Sequence, residues 1–177
     1  MKIETVMWLL PIVFMFHDFE EIIMTKPWII KNLQSIRTRF PKQVSRSILV
    51  SGSLSTPAFA LAAAEEFVVI TGLTYIGVER GYISMWVGLL MGFTIHLFVH
   101  IAQFIAFRKY TPAIITSPLA ALYGLWTIAW MSSRNLFDWR DAGLWTGVML
   151  LVIVGNLLFA LWLAAKFDHW LNQSFAG

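Results

Sequence analysis

Long stretches without Asp, Glu, Lys or Arg alternate along this chain with short clusters where those residues concentrate. Residues 81–107, 110–133 and 142–165 carry no such charge. At roughly 1.5 Å rise per residue and about 20 residues per crossing, each predicts a transmembrane helix. Two further runs are interrupted. Residues 5–16 are apolar, but His17, Asp18, Glu20 and Glu21 follow before Ile22, Ile23 and Met24 resume the run. Ser47 to Ala64 meets Glu65 and Glu66, then continues from Phe67 to Val78. Each interrupted run spans hydrocarbon if its charged side chains face a bundle interior. The pattern therefore predicts an all-α fold, a polytopic transmembrane helix bundle. Its five spans lie near 3–24, 57–78, 83–107, 112–133 and 143–165 in one domain covering residues 1–177. Ser55-Thr56-Pro57 reads as an N-cap followed by proline at the first helical position, which starts the second span. Lys2 precedes an apolar stretch, yet acids rather than a small-x-small cleavage site follow, so the first helix is expected to stay uncleaved.

Composition narrows the class. The chain is 58% apolar and 13% charged with a mean hydropathy of +0.70, against about 25% charged residues in soluble domains. A multi-pass protein of the cell (plasma or inner) membrane is expected, with membrane lipids as its surroundings. The net charge of +3 is too small and scattered to follow a phosphate backbone, which excludes nucleic acid as a partner. Zero cysteines exclude disulfides and thiolate metal sites. Residues 26–46 hold Lys26, Lys31, Arg37, Arg39, Lys42 and Arg46, with Trp28, Ile29, Ile30, Leu33 and Ile36 available for an apolar stripe. This segment reads as a basic amphipathic loop on an anionic leaflet. Five spans place nine Lys and Arg on one side and four on the other, so the N-terminus is expected outside and the C-terminus in the cytoplasm.

Five of the ten acidic residues, Asp18, Glu20, Glu21, Glu65 and Glu66, fall within these spans, as do three of the four histidines, His17, His96 and His100. A charge at a helix centre costs on the order of 3 kcal/mol even on the lenient insertion scale, and the spans contain no Lys or Arg to offset it. Helical rise places these groups in one layer, roughly 5 to 16 Å below the cytoplasmic ends of their helices. At about 100° per residue, Glu20 and Glu21 flank His17, while His96 and His100 stack one turn apart with Gln103 near the same line. Four glutamates would balance two divalent cations, and three neutral imidazoles would complete the coordination. The candidate metal ligands are His17, Glu20, Glu21, Glu65, Glu66, His96 and His100. Gln103 and Asn156 are candidates for supporting hydrogen bonds, and Asp18 reads as an interhelical hydrogen-bond partner. Zinc or iron suits the donor set best, with manganese or magnesium as alternatives.

The order His17-x-x-Glu20-Glu21, Glu65-Glu66, His96-x3-His100 resembles the HXXEE family of multi-pass membrane proteins. That resemblance implies a metal-dependent enzyme whose shared residues are the same seven side chains. Membrane prenyl-protein proteases of the CAAX type look similar at Glu65-Glu66, but their motif wants an arginine where this chain has Ile70. Membrane desaturases and lipid hydroxylases use many more histidines.

The function expected from these residues is an intramembrane dinuclear-metal enzyme acting on a lipid or isoprenoid-like substrate. Hydrolysis, with Glu65 or Glu66 as catalytic base, is favoured over oxidation because activating water needs fewer accessory parts. The alternatives are a divalent-cation or proton-coupled transporter, in which a homodimer would supply the missing repeat, and a metal-stabilised protein without turnover.

Overall fold

Five helices and no strand make up the described residues: α1 (Ile3–Arg39), α2 (Thr56–Arg80), α3 (Ile83–Phe107), α4 (Thr116–Ser132) and α5 (Trp139–Phe175). The computed structural model describes residues 1–39 and 52–175. The 40–46 part of the basic segment and the 47–51 lead-in to the second span lie outside the described residues.

Helix ends follow from local chemistry. Ser55 caps α2, its Oγ accepting the Ala58 N–H at 3.3 Å, with Pro57 in the first turn. Gly81, at φ 66°, closes the same helix in the left-handed region that only glycine enters at no steric cost. The packed surfaces are periodic. Met7, Leu10 and Phe14 form a buried stripe at three- and four-residue spacing on α1, facing Trp86, Leu90, Phe93 and Leu97 of α3. Trp86 is fully buried, and its indole N–H donates to Thr74 Oγ1 at 3.3 Å, so this large side chain leaves no orphaned donor.

Glycine lets two helices cross closely. A Cβ on Gly88 would stand 2.7 Å from the backbone carbonyl carbon of Trp145, and one on Gly92 would stand 2.8 Å from Ile153 Cδ1. This pair, four residues apart, lets the α3 backbone lie directly on α5, the small-residue logic by which membrane helices associate without a hydrophobic drive. Alanines 58 and 62 of α2 meet Ala160 and Ala164 of α5 in a second close contact.

Among the described residues, three helices, α2, α3 and α5, are long and apolar enough to cross a membrane. Leu144, Leu151, Leu158 and Trp162 of α5 point outward and are exposed, as lipid-facing residues of a membrane protein must be. α1 differs from the sequence expectation. The stretch from Lys26 onward is not a separate loop up to Arg39 but a continuation of the same helix. Ile29 and Ile36 are buried in a cluster with Phe107 of α3, so their apolar stripe packs on protein rather than on headgroups. α5 likewise runs well past residue 165, to Phe175.

Candidate metal centre

The stripe that packs the core on α1 continues into chemistry. Met7, Leu10 and Phe14 are followed at the same spacing by His17 and Glu21, which therefore face the same neighbours. On α3, Phe93 is followed by His96 and His100. Helix packing that buries the apolar residues thus delivers four donors to one point: His17, Glu21, His96 and His100 each offer a ligand atom within 4.8 Å of all the others. His100 Nε2 lies 2.9 Å from His96 Nε2 and 2.9 Å from Glu21 Oε1. The His17 ring centroid is 5.1 Å from that of His100 and 5.5 Å from that of His96.

These spacings suit one ion. Bonds of about 2.1 Å put neighbouring ligand atoms about 3.0 Å apart and opposite ones about 4.2 Å apart in an octahedron. A contraction of about half an ångström at the longest separation would close the shell. One buried nitrogen is free to complete the group: His17 Nε2 has no hydrogen-bond partner among the described residues. An unpaired buried donor or acceptor costs about 1–3 kcal/mol, and for His17 Nε2 a bound cation would remove that cost.

The orientation of His17 has a visible cause. Its Nδ1 lies 3.2 Å from Thr116 Oγ1, and that hydroxyl is 2.7 Å from Glu20 Oε2. The single hydroxyl proton goes to the carboxylate, so the oxygen accepts from His17 Nδ1–H, which leaves the Nε2 lone pair aimed at the cluster. This relay, carboxylate to hydroxyl to imidazole, is how metal-binding histidines are fixed in one tautomer.

Residues 8–127 match the family described as protein of unknown function with HXXEE motif. The chain belongs to the HXXEE family. No curated protein and no solved structure matches it. The two acids that give the HXXEE motif its name have different jobs. Glu21 joins the cluster. Glu20 accepts from Thr116 N–H at 2.8 Å, Thr116 Oγ1, Ile115 N–H at 3.2 Å and Tyr110 Oη at 2.8 Å. Its four acceptor positions are filled, and it anchors the start of α4. Burial and then the Glu20 carboxylate push the Tyr110 phenol above its ordinary range, so it remains a donor. The Trp28 indole N–H donates in turn to the Tyr110 carbonyl.

The remaining candidates lie around the cluster. Glu65 Oε2 accepts from Asn156 Nδ2 at 3.0 Å, which ties α2 to α5. Glu66 lines a cavity of about 70 Å³ whose other polar walls are His96 and Asn156. Asp18 is buried on α1, next to His17 in the chain. Gln103 is exposed on α3. The grouped donors could hold one ion, where the sequence pattern anticipates two, and Glu20 and Glu65 are engaged in hydrogen bonds between elements. Sequence reasoning missed Thr116 and Tyr110. Thr116-Ser117-Pro118, a polar pair before proline, is a helix-start signal that marks the first of them.

Proposed function

We propose that this HXXEE protein is a membrane-embedded metal-dependent enzyme acting on a lipid or isoprenoid-like substrate, with His17, Glu21, His96 and His100 as ligands. The observation that carries this reading is the convergence of four donors, with His17 Nε2 buried and unpartnered among them. A bound divalent ion would supply Lewis-acid activation of water or, if it is iron, oxygen chemistry. The chain supplies the rest. Glu20 and Thr116 hold His17 in its ligating tautomer. Glu66, which lines the cavity beside His96, would accept a proton from a water or substrate group there. That placement favours hydrolysis over oxidation. The protein belongs in the cell membrane, with its N-terminus outside and C-terminus in the cytoplasm, on the charge distribution of its loops.

One observation favours a second reading. Four protein donors fill a tetrahedral shell, which is the pattern of a structural zinc site, whereas an ion taking five or six ligands keeps positions open. A metal-stabilised protein without turnover is therefore the competing proposal.

Elemental analysis of detergent-purified protein tests the site. The expected result is one tightly held transition metal per chain, lost in His17→Ala and in His100→Ala. Less than half an equivalent after reconstitution with zinc, iron and manganese in turn would overturn the reading. Zinc with all four donors engaged, and no lipid product by mass spectrometry, would move the assignment to the structural site.

A further inference from the structure

A separate cleft of about 350 Å³ lies where the second half of α1 meets the segment that follows α3. Lys31, Asn32, Lys109 and Tyr110 give its polar lining, and Met24 and Trp28 belong to its apolar wall. Local chemistry brings these residues together. Arg108, at φ 54°, ends α3 in the left-handed region, its N–H donating to the Phe104 carbonyl at 2.8 Å, and so turns the chain off the helix. The Trp28 ring packs on Phe107 with centroids 4.9 Å apart, and its indole N–H donates to the Tyr110 carbonyl. These contacts hold two lysines to one cleft from separate elements. Among the described residues no carboxylate lines it and neither ammonium has an acidic partner. Glu20, bonded to the Tyr110 hydroxyl, is outside the lining. Lys31 follows Glu21 by ten residues, so helical rise puts the cleft about 15 Å beyond the metal cluster. The membrane-length helix α3 ends at Phe107, which sets Lys109 and Tyr110 at headgroup level.

We propose that this cleft binds the phosphate of an anionic glycerophospholipid, with Lys31 and Lys109 as its two cations and Asn32 as a hydrogen-bond donor. Two ammoniums facing one cleft repel each other, and an anion between them replaces that repulsion with attraction. The C-terminus of α3 contributes about half a negative charge, too little to cancel them. Asn32 Nδ2 uses one N–H on the Trp28 carbonyl at 2.9 Å and retains the other. The room is sufficient. At about 30 Å³ per water, the cleft has space for on the order of ten waters, enough for a hydrated phosphate and its glycerol. The apolar wall argues for a lipid over a free phosphate ion. Met24, Pro27 and Trp28 would lie against the glycerol and the first methylenes, a surface that a free ion leaves uncovered. Tryptophan and tyrosine, with an apolar body and a polar tip, suit the same level of the bilayer. No metal ligand lines the cleft, so the site goes beyond the metal-enzyme reading and stands without it.

Native mass spectrometry of the full chain, released from detergent with added dioleoyl phosphatidylglycerol, tests the site. Saturable binding of one lipid is expected. Lys31→Gln and Lys109→Gln should each weaken it about fivefold, and the double substitution about 25-fold. Arg37→Gln removes the same charge from the same helix outside the cleft and should change affinity by less than about twofold. All three side chains are exposed, so melting temperatures should stay unchanged. Dioleoylglycerol, which lacks the phosphate, should bind at least about 25-fold more weakly. Glycerol 3-phosphate and inorganic phosphate, which lack the chains, should not displace the lipid at equal concentration. An equal loss in Arg37→Gln and Lys31→Gln would reduce the cleft to diffuse surface charge and overturn the proposal. So would binding of dioleoylglycerol as tight as that of phosphatidylglycerol. Displacement by glycerol 3-phosphate or inorganic phosphate at equal concentration would overturn it too, by assigning the cleft to a soluble phosphate.

Discussion

Thr116 is a threonine with no ligand atom in the metal cluster, and its replacement by valine is the most informative single change in the molecule. Valine matches its shape and deletes only the hydroxyl. That oxygen donates to Glu20 Oε2 at 2.7 Å and receives His17 Nδ1 at 3.2 Å. A hydrogen bond to a charged group contributes about 1.5–3 kcal/mol, and leaving the buried Nδ1–H unpaired costs a comparable amount. Glu20 is half-buried, keeps its bonds to the Thr116 and Ile115 amides and to Tyr110, and can take water in place of the hydroxyl, so α4 stays anchored and the expected loss in stability, about 2 kcal/mol, comes chiefly from the unpaired Nδ1–H. Metal affinity should fall about 10–100-fold, the range for removing a partner that orients a ligating histidine. The assay is a competitive chelator titration in detergent, run beside thermal unfolding. Thr116→Ser restores the hydroxyl and should bind metal almost as the unaltered protein does. In a His17→Ala background, Thr116→Val should cost no further affinity, because its effect passes through His17. An affinity within twofold of the original in Thr116→Val, or an equal loss in Thr116→Ser, would refute the relay.

Four other changes probe separate links. Glu21→Gln should weaken metal binding by more than about 100-fold, beyond the range for a supporting residue, as read by the same titration. Tyr110→Phe removes one of four bonds to Glu20, so stability should drop by about 1.5–3 kcal/mol in a melting curve while metal affinity changes less than in Thr116→Val. Gly88→Ala forces a Cβ to within 2.7 Å of the Trp145 backbone carbonyl carbon, where no side chain can yield; about 1–3 kcal/mol of destabilisation should appear in denaturation from micelles. Asn156→Leu should leave metal content intact and loosen the α2–α5 contact through unpaired Glu65, lowering the melting temperature.

Much of this architecture was legible because bilayer and helix periodicity impose the same pattern on sequence and structure. The uncharged runs gave α3 and α5, and the Ser55-Thr56-Pro57 signal marked the start of α2. The spacing of His17 and Glu21 with His96 and His100 pointed to a shared layer, and the helices bring those four together. What escaped detection depends on distance in the chain. Nothing near Trp28, Ile29 or Ile36 announces that Phe107 lies beside them, so the basic segment looked like a surface loop while its apolar stripe was bound for α3. Thr116 escaped for the same reason. Its role exists only because Glu20 and His17, nearly a hundred residues earlier, present themselves to the start of α4.

The two Glu-Glu doublets show why identical neighbours need not share a function. Adjacent residues on a helix diverge by about 100°, so one side chain can face a centre only if the other turns aside. In α1, Glu21 faces the histidines and Glu20 turns to the loop before α4. In α2, Glu66 lines the cavity beside His96, and Glu65 turns to Asn156 of α5. Each doublet therefore couples one acid at the centre to one acid that fixes the helix against a neighbour. In a membrane interior this arrangement solves two problems together: the outer acid is satisfied by amide or hydroxyl donors rather than left unpaired, and the helix is held at the rotation that keeps the inner acid aimed. A charge-neutral replacement should consequently act differently at the two members of each pair. Glutamine retains part of the hydrogen bonding at Glu20 and Glu65 and is expected to preserve the bundle, whereas at Glu21 it should weaken ion binding and at Glu66 it should remove the proposed proton acceptor.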